Sequence, residues 1–232
     1  MIAAENLTKR YGRHQVLNGL SMTARPGEVT LLIGSNGAGK TTTLRMLAGL
    51  GRPDSGSATI CGTDVVRNRQ RAQKQLTFLP QGVAFHPRFS CLQVLGFYAR
   101  LRGVAHQRVD EVLQLAGLES EMHKRVGALS GGLRQRLGLA VMLLPDTPVL
   151  LLDEPGISLD PEWRARMQAI LHGEAKRGKT VLVTTHLLAE WEGVGHRCLR
   201  CLDGRIGGEI EPDRLRNSEY PELVVPYSRK VV

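Results

Sequence analysis

Eight consecutive residues constrain this chain more than any other feature: Gly34-Ser35-Asn36-Gly37-Ala38-Gly39-Lys40-Thr41. The spacing is G-x-x-x-x-G-K-[ST], and its context suits a phosphate loop, with an apolar β-rich run (residues 30–33) before it and a helical pattern (residues 40–48) after it. Glycines let successive backbone N–H groups turn inward around phosphate oxygens, and the helix that starts near Lys40 adds its positive end. Lys40 can neutralise charge on the β- and γ-phosphates of a nucleotide, and the Thr41 hydroxyl can ligate Mg²⁺.

A second signal lies downstream, in Val149-Leu150-Leu151-Leu152-Asp153-Glu154. A wholly apolar run of this length predicts a strand covered on both faces. It ends in two carboxylates, as the metal of a bound nucleotide requires. Asp153 is the expected metal ligand and Glu154 the group expected to polarise an attacking water. A third signal is Leu129-Ser130-Gly131-Gly132-Leu133-Arg134-Gln135. Ser followed by two glycines at a helix start fits an anion site and equally a simple helix cap.

The order of elements predicts mixed α and β. Strands are expected at residues 3–7, 16–23, 29–33, 58–60, 76–79, 149–152, 180–184 and 197–202, and helices at 40–48 and 161–177. From 87 to about 145 the pattern is helical, with Leu92, Leu95, Val109, Val112 and Leu115 at helical spacing. The chain therefore reads as an α/β core, 1–86 and 146–211, interrupted by a helical insert, 87–145. The tail, 212–232, is polar and carries Pro221 and Pro226, and no structure is forced on it.

Phosphate loop, Gln81, LSGG, LLLDEP, Ser158-Leu159-Asp160 and His186 follow one another at sensible separations. In that series the chain resembles the nucleotide-binding subunit of an ABC transporter, over roughly residues 2–210. The resemblance implies a single ABC ATPase domain. Its fold is a P-loop NTPase cassette with a RecA-like mixed sheet core, an antiparallel β subdomain and an inserted helical subdomain. It further implies that Tyr11 stacks on adenine, and that Gly34 to Thr41 together with Thr42 hold ATP. Gln81 would meet Mg²⁺ alongside Thr41 and Asp153 and relay nucleotide state to the insert. Ser130, Gly131 and Gly132 would face the γ-phosphate held by a second copy. Asp160 would belong to a loop crossing that dimer interface, and His186 would hold the γ-phosphate and orient Glu154. Two copies would then sandwich two ATP molecules head to tail.

Segments 41–56 and 95–100 look most like the subunits that drive ABC-2-type exporters, so separate transmembrane permease subunits are the expected partners. The expected place is the cytoplasmic face of the membrane. An ATPase that changes its partner's shape without transport uses the same cassette. A nucleic-acid- or ribosome-associated ABC ATPase is the less expected alternative, since relatives of that kind generally carry two cassettes, a long coiled coil or zinc modules. Three departures from the family pattern stand out, one of them a short tail, expected to leave little room for the added regulatory domain some members carry. Gly156-Ile157 follows Glu154-Pro155 where Thr or Phe is more usual, so a looser turn is expected there. His196 stands where an Asp often precedes Arg197.

Composition adds bounds. The 232 residues, 42% hydrophobic and 23% charged, suit one folded domain and exclude a largely disordered chain. The net charge of +9 admits a nucleotide, a nucleic acid or an anionic membrane face. The basic residues read as scattered over a solvated surface, and aromatics at 4% are thin for single-strand stacking. No nucleic-acid partner is expected. No apolar run approaches the roughly 20 residues of a membrane helix. Four cysteines are too few and too dispersed for a disulfide scaffold. Cys198 and Cys201 form a CxxC near His196. Zinc needs about four ligands, whereas strand residues three apart face opposite ways, so a strand using Cys as a small apolar residue is the preferred reading. Five of the ten aromatics, Phe78, Phe85, Phe89, Phe97 and Tyr98, fall between Gln81's neighbourhood and the insert, where a partner helix is expected to dock.

Overall fold

The computed structural model describes residues 1–186, 191 and 194–210; the polar tail lies outside them. Two sheets organise the chain. Strands β1 (Ile2–Tyr11), β2 (His14–Ala24), β4 (Ser55–Ile60) and β5 (Thr63–Asp64) form an antiparallel sheet in the order β2-β1-β4-β5. The central sheet contains β3 (Val29–Ile33), β6 (Leu76–Leu79), β7 (Val149–Asp153), β8 (Thr180–Thr185), β9 (Arg197–Leu202) and β10 (Arg205–Ile210). Their order is β10-β9-β3-β8-β7-β6, parallel except for the terminal β9–β10 hairpin.

The wholly apolar runs become the innermost strands because both their faces are covered. In β3, Leu31 and Ile33 belong to the core layer that also holds Met167, Leu171 and Ala175 and extends to the apolar residues of the insert. Leu32 packs on the opposite side with Leu44, Met46 and Leu47 of α1 (Lys40–Leu47) and with the antiparallel sheet. Both layers are closed by side chains with no solvent exposure, each worth about 2 kcal/mol of burial. Cys198 joins the first layer and Cys201 the second, so the CxxC does straddle a strand.

The helical stretch resolves into α3 (Cys91–Arg102), α4 (Gln107–Leu115) and α5 (Gly131–Leu143), with short 3-10 turns at Glu119–Glu121 and Val126–Ala128. A capping box sets the start of α3. The Ser90 hydroxyl accepts from Gln93 N–H, and the Gln93 side chain accepts from Ser90 N–H. Helix α6 (Pro161–Lys176) starts on the Asp160 carboxylate, which accepts from Trp163 N–H at 2.8 Å, with Pro161 preset for the first turn. The Trp163 ring lies between the guanidinium groups of Arg136 and Arg166, 3.7 and 4.6 Å from its centroid, which ties α5 to α6. Sequence periodicity missed β5, α2 (Arg69–Lys74) and β10. The first two are too short to show a period, and β10 carries two glycines. Among the described residues no helix is long and apolar enough to cross a membrane.

Candidate active site

Strand β3 delivers the chain into the loop that opens α1. At Gly34 a Cβ would sit 2.3 Å from the Cys201 carbonyl oxygen, and at Gly39, φ +104°, it would press on Leu17 and the Val16 carbonyl. Only glycine fits this crowded backbone. The β9–β10 turn props the loop from below: the Ala38 carbonyl accepts from Gly204 N–H at 3.1 Å and from the Cys201 thiol at 3.0 Å. Burial pushes that thiol up to about 11 and the Cys198 thiol up to about 12.

Lys40, 5% exposed, folds back over the loop. Its ammonium donates to the Gly34 and Ser35 carbonyls at 2.7 and 3.0 Å and lies 3.6 Å from Glu154 Oε1. Strand β7 brings Asp153 to the same place. Asp153 Oδ1 accepts from the Thr41 hydroxyl at 3.1 Å and from the Thr184 hydroxyl at 2.6 Å. Glu154, 8% exposed, takes the left-handed conformation at φ +47°. That conformation costs a non-glycine residue about 1 kcal/mol or more, and it is held by Glu154 N–H donating to the Thr184 carbonyl and hydroxyl. The Glu154 Oε2 atom accepts from Gln81 Nε2 at 3.3 Å and stands 2.9 Å from His186 Nδ1. One carboxylate thus meets an ammonium, an amide and an imidazole brought from three separate segments.

These groups border a cleft of about 400 Å³ whose lining includes Asn36, Lys40, Thr41, Thr42, Gln81 and Glu154. The Thr41 and Asp153 oxygens form a hard donor pair beside the loop, a set that suits Mg²⁺.

Other expected residues lie elsewhere. Tyr11 ends β1, 50% exposed, with the Lys9 ammonium 5.5 Å from its ring centroid, and does not line the cleft. Ser130, Gly131 and Gly132 do not line it either. The Ser130 hydroxyl caps α5 by accepting from Leu133 N–H at 3.2 Å, and Gly132 packs against Ser158. A link does run from α5 to the carboxylate strand: Gln135 Nε2 donates to the Pro155 carbonyl at 3.2 Å. Asp160 is the cap of α6. In the turn with the unusual Gly156, Gly156 and Leu159 are buried, Ile157 and Ser158 are exposed, and Leu159 N–H donates to the Gly156 carbonyl at 3.1 Å. Sequence reasoning passed over Thr184, Gly204 and Val16, and read Cys201 as a strand residue without a place beside the loop. Only Thr184, at the carboxyl end of a buried run two residues before His186, left a readable signal.

Phe78, Phe85 and Tyr98 line a second groove, of about 280 Å³, with Val83 and Met142 on its walls. Phe85 meets Tyr98 edge-on at 6.1 Å. Phe89 and Phe97 are exposed and do not line it.

The sequence profile of the ABC transporter family matches residues 17–156. The chain is 41% identical over 218 residues to the Nod factor export ATP-binding protein I of Burkholderia lata, covering 92% of this chain and 72% of that protein. It is 39% identical over 222 residues to the protein of the same name from Paraburkholderia xenovorans, covering 94% and 73%. Among solved structures, a dimeric bacterial ABC transporter cassette superposes with a TM-score of 0.84 at 25% identity, covering 94% of this chain and all of that one. An ATP-binding subunit of an ABC transporter matches in fold with a TM-score of 0.86 at 24% identity, covering 96% and 97%.

Proposed function

The chain belongs to the ABC transporter family as an ATP-binding, ATP-hydrolysing subunit, and we propose that it drives export through separate membrane permease subunits. The observation that carries the catalytic part is the convergence of Lys40, Gln81 and His186 on Glu154 beside the cleft. Lys40 exchanges its two loop carbonyls for phosphate oxygens when ATP binds. Glu154, aimed by its left-handed backbone and by His186, accepts a proton from the water that attacks the γ-phosphate. Gln81 reports whether that phosphate is present. Thr41, Asp153 and Gln81 are the residues that would hold Mg²⁺, which neutralises phosphate charge when bound.

Two copies form the working unit. The separation of the LSGG segment from the cleft in one chain supports this reading, because Ser130, Gly131 and Gly132 are then free to meet ATP held by the other copy. Asp160 lies beside that junction, and Tyr11 is exposed at a strand end where adenine can stack. The whole chain acts as one domain, with the insert, 87–145, as the part that swings. The groove of Phe78, Phe85 and Tyr98, next to Gln81, accepts a cytoplasmic helix of the permease at the inner face of the membrane. The Burkholderia relatives are named for export of a Nod factor; the choice of cargo here rests with the permease.

The deciding experiment uses Glu154→Gln. It is expected to retain ATP binding, to lose at least about 100-fold in turnover, and to shift from monomer to dimer with ATP and Mg²⁺. Turnover near that of the parent protein removes Glu154 from this role. Phe85→Ala is expected to weaken co-purification with the permease while ATP binding persists; unchanged capture moves the docking site elsewhere.

A further inference from the structure

The chain's positive charge is not spread as its composition suggests. Residues 65–109 contain eight Lys and Arg and no Asp or Glu, while the remaining 23 basic and 22 acidic residues nearly cancel. Almost the entire net charge of +9 therefore belongs to one stretch. Of its eight cations, Arg108 is paired with Glu111 at 2.7 Å. The other seven (Arg67, Arg69, Arg71, Lys74, Arg88, Arg100 and Arg102) are exposed and have no carboxylate at ion-pair distance among the described residues. The two nearest preceding acids are already engaged. Asp54 accepts from Lys9 and from Arg10 N–H, and Asp64 accepts from the N–H groups of Val66 and Arg67.

Three of these cations, Arg69, Arg71 and Lys74, lie on α2, and two grooves connect that helix with Arg102 and with Arg52. Helix α2 keeps only Ala72 buried. A shallow groove joins Lys74 to Arg102 across Leu50 and Leu101, and a second joins Arg69 to Arg52 across Leu50 and Val66. Leu101 is 66% exposed. Arg71, Lys74, Arg100 and Arg102 lie in the last turns of α2 and α3 and favour those helix dipoles, but that leaves Arg69 at the start of α2, the complete lack of acids and the exposed apolar side chains without a cause.

We propose that this face, centred on Arg69, Arg71, Lys74 and Leu101, binds an anionic phospholipid surface. Basic side chains interleaved with exposed Leu and Val match the boundary between headgroups and acyl chains. The cytoplasmic loops of membrane proteins themselves carry excess Lys and Arg, so a permease loop of that kind is repelled by this basic rim, whereas an anionic leaflet attracts it. The face continues into the Phe78–Tyr98 groove through Leu101 and Arg102, so one orientation serves the bilayer and a permease helix together. Lipid binding does not depend on permease docking and is measured without it.

The test is partition of the whole chain onto vesicles of phosphatidylcholine alone or with about a quarter phosphatidylglycerol. Binding is expected only to the anionic vesicles and is expected to weaken as salt rises from about 50 to about 300 mM. Each cation near the surface contributes roughly fivefold. The triple variant Arg69→Gln, Arg71→Gln, Lys74→Gln is therefore expected to lose on the order of 100-fold in partition, with ATP hydrolysis unchanged. Equal binding to both vesicle types, no binding to either, or a triple variant that partitions like the parent overturns the assignment. Duplex DNA is the competing polyanion: if it displaces the protein from anionic vesicles at matched phosphate concentration, the face is a nucleic-acid site instead.

Discussion

Two helix starts in this molecule carry glycine-rich segments, and they are built in opposite ways. The start of α1 is walled in. Its glycines leave no room for a Cβ beside Cys201, Leu17 and Val16, its lysine is buried, and the carboxylates of Asp153 and Glu154 at the end of β7 face it. The start of α5 is open: Ser130 is exposed and bonds only to its own helix. Both offer free N–H groups and a positive helix end. Only the first has convergent charge within one chain. The difference teaches that a helix N-terminus becomes a catalytic site through what other strands bring to it. The second start waits for groups that its own chain places elsewhere.

The largest expected effect tests the enclosed start. Lys40→Ala is expected to weaken ATP binding by at least about 100-fold, since it removes a buried charge aimed at phosphate. Equilibrium binding with a fluorescent ATP analogue measures it, and retained affinity would show that the loop backbone alone suffices. Next comes the open start. Ser130→Arg fills its anion site and is expected to abolish the ATP-driven dimer and most turnover, while one chain still binds ATP. If the dimer persists, the two starts do not meet across copies.

A smaller effect is expected where the two starts differ in support. Cys201→Val removes the thiol that donates to the Ala38 carbonyl and leaves the Gly204 N–H bond in place. A rise in KM of a few-fold with little change in kcat is expected, on the scale of one hydrogen bond of about 1 kcal/mol; Cys201→Ser is expected to restore it. Smallest is Asp160→Ala, which removes the cap of α6 and is expected to cost about 1 kcal/mol of stability, read from denaturant midpoints. A larger loss of turnover than of stability would move Asp160 from cap to interface.

Cysteine reactivity sharpens the same contrast. Cys61 is exposed, whereas Cys91, Cys198 and Cys201 are buried. One fast thiol is expected in native titration, and exposure of a second on Lys40→Ala would mean that the loop and the β9–β10 turn open together.

The sequence by itself determined the strand–loop–helix at residues 29–47, the carboxylate strand and the order of motifs. These signals are local: glycine conformation, apolar runs and cap residues act over a few neighbours. It also determined that Cys198 and Cys201 face opposite ways, because alternation along a strand is geometric. Segments such as β5 and α2 were not legible, since a two-residue strand and a helix of under two turns with one buried residue show no period. Only the tertiary structure decided that Gln81, His186 and Lys40 meet on one Glu154 oxygen pair, that Thr184 holds Asp153, and that Ser130 turns away from the cleft of its own chain. Those distances follow from the order β9-β3-β8-β7-β6, a long-range pairing that brings together residues more than a hundred positions apart and that no local pattern encodes.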